Sequence, residues 1–226
     1  MRTFAYISLV FAPIIAVGIY WYFRRKCDPS FRNLLIKSYI GGAIMVILLI
    51  GVQLLSNMLG LTELRSLKRT LFYSFVITGF TSEFSKFLVL RYMILPKKAI
   101  TRPIHVITFS IMVALGFVTV RLICFFIDPF FTQKLYPFTL YALIAVPASI
   151  MFAVILGFFI GMSKFTKTRV IYSLTGLLVA SFFHGLYNFC LFTNDFKLLS
   201  LFAFGATVIV FILGLRAAYA DPESLQ

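Results

Sequence analysis

The chain alternates long apolar stretches with short polar segments that are mostly basic. Seven stretches reach the length of about 20 mostly apolar residues that a membrane-spanning helix needs, and they cover residues 3–23, 34–57, 71–95, 104–127, 138–161, 170–192 and 196–216. A helix is the structure that satisfies the backbone polar groups of one segment inside lipid. The pattern therefore predicts an all-α fold, a polytopic membrane helix bundle with about seven transmembrane helices.

Composition excludes the other broad classes. Hydrophobic residues make up 61% of the chain and charged residues 12%, whereas a soluble domain has about 45–50% apolar and about 25% charged residues. A water-soluble enzyme and a disordered chain are both excluded, and residues 1–226 are predicted to form a single integral membrane domain. The three cysteines (Cys27, Cys124 and Cys190) lack metal-ligand spacing, which favours small buried side chains over a metal site.

The net charge of +14 reflects basic clusters that lie between apolar stretches, which is typical of cytoplasmic loops and not of a nucleic-acid-binding surface. We therefore expect membrane lipid, and no nucleic acid, as a partner. With the N-terminus outside and the C-terminus inside, thirteen basic residues lie on the inner side and six on the outer. The inner set is Arg24, Arg25, Lys26, Arg32, Lys37, Arg91, Lys97, Lys98, Arg102, Lys164, Lys167, Arg169 and Arg216; the outer set is Arg2, Arg65, Lys68, Arg69, Lys134 and Lys197.

The segment 58–70 departs from this rule, since it places three basic residues on the outer side. Its leucines recur at helical spacing, at positions 61, 64, 67 and 71. This spacing predicts a short amphipathic segment that lies on the outer membrane surface, with a re-entrant segment as the alternative.

A charged side chain inside the membrane is costly, so each one is a candidate functional residue. In the third apolar stretch, Gly79, Ser82, Glu83 and Lys86 share one helical face. In the simpler interpretation, Glu83 and Lys86 form a neutral pair at i,i+3 that only holds helices together.

Three further helices contribute polar side chains, and counting 1.5 Å per residue places all of them, with Glu83, about 6 to 18 Å below the outer boundary. They are Arg121, Ser149, His184 and Asn188. Arg121 could instead extend to the outer headgroups, and His184 could simply bind a neighbouring helix. The shared depth predicts one bundle in which Glu83 and His184 face each other.

These residues resemble the motifs of the PrsW family of intramembrane proteases, within the wider superfamily of CAAX-prenyl proteases and Abi-type proteins. The similar segments are 79–86 (GFTSEFSK), 115–117 (LGF), 157–161 (GFFIG) and 183–189 (FHGLYNF). The resemblance implies cleavage of single-span membrane proteins such as anti-sigma factors at the outer face of the bacterial inner (cytoplasmic) membrane.

The resemblance also implies the role of each residue. Glu83 would activate water as general base, while His184 and Asn188 would hold or polarise the peptide carbonyl, and Lys86 completes the third-helix motif E-E-x-x-K. The remaining family positions are substituted here: the first glutamate of that motif by Ser82, the fourth-helix Glu-Asn pair by Arg121 and Leu122, and the fifth-helix histidine by Ser149. A divalent metal such as zinc fits the family's chemistry, but zinc needs about three protein ligands and Glu83 with His184 supplies two.

These substitutions predict a catalytically degenerate member with little or no peptide hydrolysis, in which Glu83 pairs with Arg121 or Lys86. Two alternatives stay open. The first is an active glutamate-dependent intramembrane protease that uses Glu83 and His184. The second is a small transporter or channel lined by Glu83, Lys86 and Arg121.

Overall fold

The computed structural model describes residues 2–24, 27–62, 64, 66–127 and 138–220, and within them every regular element is helical. The elements are α1 (Arg2–Arg24), α2 (Pro29–Met58), α3 (Leu67–Phe72), π1 (Tyr73–Phe80), α4 (Thr81–Leu88), π2 (Val89–Ile94), α5 (Pro103–Ile127), α6 (Phe138–Phe165), α7 (Arg169–Thr193) and α8 (Phe196–Tyr219). The predicted all-α class is confirmed. Pro29 and Pro103 open α2 and α5, where a missing N–H costs little.

Each of the seven apolar stretches corresponds to one helix or, in the third stretch, to successive helical segments. Five helices are long and apolar enough to cross a membrane: Pro29–Met58, Pro103–Ile127, Leu143–Phe165, Arg169–Thr193 and Phe196–Tyr219. Large apolar side chains such as Leu201 and Phe204 on α8 are 70% and 72% exposed. A bundle with such an outer surface needs an apolar solvent, so the chain is a multi-pass membrane protein.

The third span is not a uniform helix, because the π-helical segments π1 and π2 flank the α-helical turns of α4. Two threonine hydroxyls bind backbone carbonyls of π1. Thr78 Oγ1 donates to the carbonyl of Tyr73 at 3.2 Å, and Thr81 Oγ1 donates to that of Val76 at 3.2 Å. Such π-helical insertions often occur at functional sites. Here they lie on both sides of the turn that carries Glu83.

Helix α5 packs against α2 and α6 through glycines that allow the backbones to approach closely. A Cβ on Gly116 would lie 1.9 Å from the carbonyl oxygen of Tyr39, and one on Gly157 would lie 2.7 Å from Ser110 Cβ. Ser110 Oγ also donates to the carbonyl of Ala153 at 2.7 Å. The small residues therefore fix the crossings that put α2, α5 and α6 side by side.

The described residues of segment 58–70 do not form one continuous helix, although its leucines recur at helical spacing. Residues 59–62 are a turn, with Gly60 at φ +67, and helix α3 begins only at Leu67, where the Ser66 side chain accepts a hydrogen bond from the backbone of Arg69. The leucines do not share one helix because the turn at Gly60 and the N-terminal cap at Ser66 interrupt the helical backbone. Residues 63 and 65 lie outside the described residues.

Candidate active site

Glu83 lies at the centre of the bundle and is fully buried. Its Oε1 atom accepts two hydrogen bonds, one from Lys86 Nζ at 2.5 Å and one shared with His184 Nδ1 at 2.6 Å. Lys86 comes from the next turn of α4 and His184 from α7. The predicted proximity of Glu83 and His184 is therefore observed, and Lys86, the closer of the two predicted cations, forms the ion pair.

Two glycines bring these groups within bonding distance. A Cβ on Gly79 would lie 2.8 Å from the backbone nitrogen of Gly185, and one on Gly185 would lie 2.5 Å from the Phe75 ring. Segments π1 and α7 therefore touch backbone to backbone one turn before Glu83 and directly after His184. Any side chain at this crossing would separate the carboxylate from the imidazole.

Aromatic rings enclose the ionic groups. The imidazole of His184 stacks on Phe152, with ring centroids 4.7 Å apart and planes at 20°, and Lys86 Nζ lies 5.5 Å from the centroid of Phe117. The stack removes water from one face of the imidazole, and the second contact is a cation–π interaction. Sequence reasoning missed both roles. Phe152 could have been found, because it lies three residues after Ser149 on the same helical face.

Of the other predicted site residues, Arg121 and Ser149 lie beside His184 and Leu122 lies in the apolar core. Arg121 extends over the ring of Tyr141, with its Cζ 5.6 Å from the centroid. Arg121, Ser149 and His184 line a cavity of about 10 Å³, which has room for about one water molecule. Leu122 is fully buried in the apolar core.

The Nδ2 atom of Asn188 donates to the carbonyl of His184 at 3.0 Å. It thus holds the turn that carries the histidine. Ser82 Oγ and Glu83 Oε2 are buried, and neither has a hydrogen-bond partner within the described part of the chain. Buried polar atoms normally have a partner or an ordered water. Glu83 Oε2 is accordingly the atom through which this carboxylate can still accept a proton or a water molecule.

The residues present do not fit a catalytic metal. Among the described side chains, no three from His, Cys, Asp and Glu come together as ligands, whereas catalytic zinc takes about three protein ligands. Glu83 and His184 supply two, and these two bind each other. The Lys86 ammonium on Glu83 Oε1 would also repel a cation at the same oxygen.

Comparison with known proteins assigns the family. The model described as "PrsW family intramembrane metalloprotease" matches residues 30–215. The chain is 29% identical over 197 residues to Protease PrsW of Bacillus subtilis (strain 168), covering 83% of each chain. It is 28% identical over 189 residues to Protease PrsW of Clostridioides difficile (strain 630), covering 81% of this chain and 77% of the relative. No solved structure matches. On the match to residues 30–215, the chain belongs to the PrsW family.

Proposed function

We propose that this chain is a non-cleaving member of the PrsW family that binds the transmembrane helix of single-span membrane proteins, such as anti-sigma factors, in a bacterial inner membrane. One observation carries the proposal. Glu83 Oε1 contacts both Lys86 and His184 in a fully buried site. The Lys86 ammonium therefore balances the negative charge of the carboxylate within the bundle.

The chemistry of peptide hydrolysis supports the same conclusion. A base must activate water and an acid must protonate the leaving amine, and two adjacent carboxylates can divide these roles. Here the neighbour of Glu83 is Ser82, which supplies a hydroxyl in place of the second carboxylate. The cavity beside His184 has a volume of about 10 Å³, which is room for about one water molecule and is too small for a peptide segment.

One observation favours an active protease as the second candidate. Glu83 and His184 are joined directly at 2.6 Å, which is the distance at which a general base and a general acid can exchange a proton. In that function Glu83 Oε2, which is buried without a hydrogen-bond partner among the described atoms, would activate the water. The Lys86 ammonium argues against it, because it holds the carboxylate in a neutral pair.

Co-reconstitution with single-span membrane proteins tests the proposal. We expect a partner protein to co-purify with the wild-type chain in mild detergent and to keep its full mass. The variant Ser85→Ala should behave like the wild type. Ser85 is buried on the helix that carries Glu83, but its hydroxyl donates to the carbonyl of Thr81 and not to the site. Recovery of the partner as fragments, or failure of every candidate partner to co-purify, would contradict the proposal.

The charges of the loops separately predict the orientation of the chain, with the N-terminus outside and the C-terminus inside. Single cysteines introduced at Lys167 and Lys197, in a variant without the native cysteines, should react differently with an impermeant maleimide on intact cells. We expect position 197 to be labelled and position 167 to be labelled only after lysis. Labelling of position 167 on intact cells would reverse the orientation.

A further inference from the structure

The end of the bundle opposite to the candidate site carries an open concavity between three elements. Arg91 from π2, Lys164 from the end of α6 and Arg169 from the start of α7 line a cavity of about 450 Å³. A second cavity of about 520 Å³ shares Lys164 and Arg169 with it and adds Lys167. The two form one groove, which we call the basic groove.

The groove carries four cations, and no carboxylate in the described part of the chain lines it. None of the acidic residues that the structure describes (Asp28, Glu83 and Asp195) lines either cavity. Lys164 is fixed in place, since its Nζ donates to the carbonyl of Lys97 at 2.7 Å. Lys164 is therefore held at the groove, and helix α7 begins beside it at Arg169, where the helix dipole is positive.

Apolar side chains line the groove together with its cations and with Ser163 and Thr166. Leu95 and Pro96 line one side of the groove and Phe165 the other. A ligand that fills the groove thus contacts both positive charge and hydrocarbon. The combined volume lies in the range of about 300–1,000 Å³ that small-molecule sites occupy.

We propose that the basic groove binds the phosphate headgroup of an anionic phospholipid, with its glycerol and upper acyl chains against Leu95, Pro96 and Phe165. Basic pockets between transmembrane helices are suited to such headgroups. Charge complementarity favours an anionic over a zwitterionic lipid, and the apolar walls favour a lipid over free inorganic phosphate. The inference is independent of the catalytic state of Glu83.

The groove differs from the other basic positions at the same end of the bundle. Lys37 and Arg216 are both exposed and line neither cavity. The contact of Phe31 with Phe109 places the start of α2 beside the start of α5, and the bond from Arg102 to the carbonyl of Ala218 places the end of α8 there too. Lys37 and Arg216 therefore provide a control of equal charge at the same membrane surface.

Native mass spectrometry of the detergent-solubilised full chain tests the proposal with three probes: phosphatidylglycerol, phosphatidylcholine and inorganic phosphate. We expect one molecule of phosphatidylglycerol to bind with an apparent Kd about 25-fold lower than that of phosphatidylcholine, because Arg91 and Arg169 each contribute about fivefold. The double variant Arg91→Gln/Arg169→Gln should lose this preference, and Lys37→Gln/Arg216→Gln should keep it.

Three results would overturn the proposal. Equal binding of the two lipids would show that the groove does not select charge. An equal loss in both double variants would reduce the effect to general surface charge. Competition by inorganic phosphate at the same concentration as the lipid would make the groove a site for the free ion. Melting curves followed by the reactivity of the buried Cys190 show in each case whether a variant is folded.

Discussion

Replacing Lys86 with methionine is expected to lower the free energy of unfolding by about 3 kcal/mol, because it leaves a buried carboxylate without its cation. Methionine keeps most of the volume of the lysine stem beside Phe117, so lost packing contributes little. Glu83 keeps its hydrogen bond with His184, which places the expected loss at the lower end for a broken buried pair. Titration with SDS in mixed micelles measures the free energy.

The double variant Glu83→Gln/Lys86→Met separates charge from packing. With both charges removed, most of the lost stability should return, because a neutral amide can still hydrogen-bond His184. Lys37→Met is the surface control, since Lys37 is exposed and its replacement should change stability by less than about 0.5 kcal/mol. If Lys86→Met costs no more than Lys37→Met, the ion pair does not hold the site together.

Gly116→Ala is expected to lower the free energy of unfolding by about 3 kcal/mol, because a new methyl group forces apart two packed helices. Its Cβ would lie 1.9 Å from the backbone oxygen of Tyr39 on α2, and a backbone atom cannot rotate away as a side chain can. The separation of α2 from α5 should also weaken the bond of 3.0 Å between Tyr39 and Thr119. The same SDS titration measures the change.

Gly205→Ala on α8 is the matched control, because a Cβ there would meet nothing within 4 Å. Alanine favours a helix over glycine by about 1 kcal/mol, so this variant should be as stable as the wild type or slightly more stable. A loss in Gly205→Ala equal to that in Gly116→Ala would mean that helix packing does not explain the glycine requirement.

The sequence predicted the spans and the meeting of Glu83 with His184, because the cost of exposing either group to lipid leaves few arrangements. It could not choose between Lys86 and Arg121 as the partner of Glu83. Counting residues gives the depth of a side chain but not its direction around the helix axis, and Arg121 extends over Tyr141.

Other features depend on tertiary contacts that a single helix does not encode. The π-helical segments around Glu83 break the period of 3.6 residues on which sequence reasoning relies. The sequence predicts that Asn188 acts on a substrate carbonyl, and it could not show that the Asn188 amide donates to the carbonyl of His184. The leucine spacing in segment 58–70 is that of a helix, but the spacing alone does not show that a turn at Gly60 interrupts it.

Cleavage by the wild-type chain is the most direct test of a neutralised, non-hydrolytic site. The full chain is reconstituted in vesicles with a single-span protein chosen because Protease PrsW of Bacillus subtilis cleaves it in the same vesicles. Wild type, Glu83→Gln, His184→Ala and the control Ser85→Ala are compared by the mass of the single-span protein over time. The account predicts an intact single-span protein with all four chains; fragments produced by wild type and Ser85→Ala, but not by Glu83→Gln or His184→Ala, would contradict it.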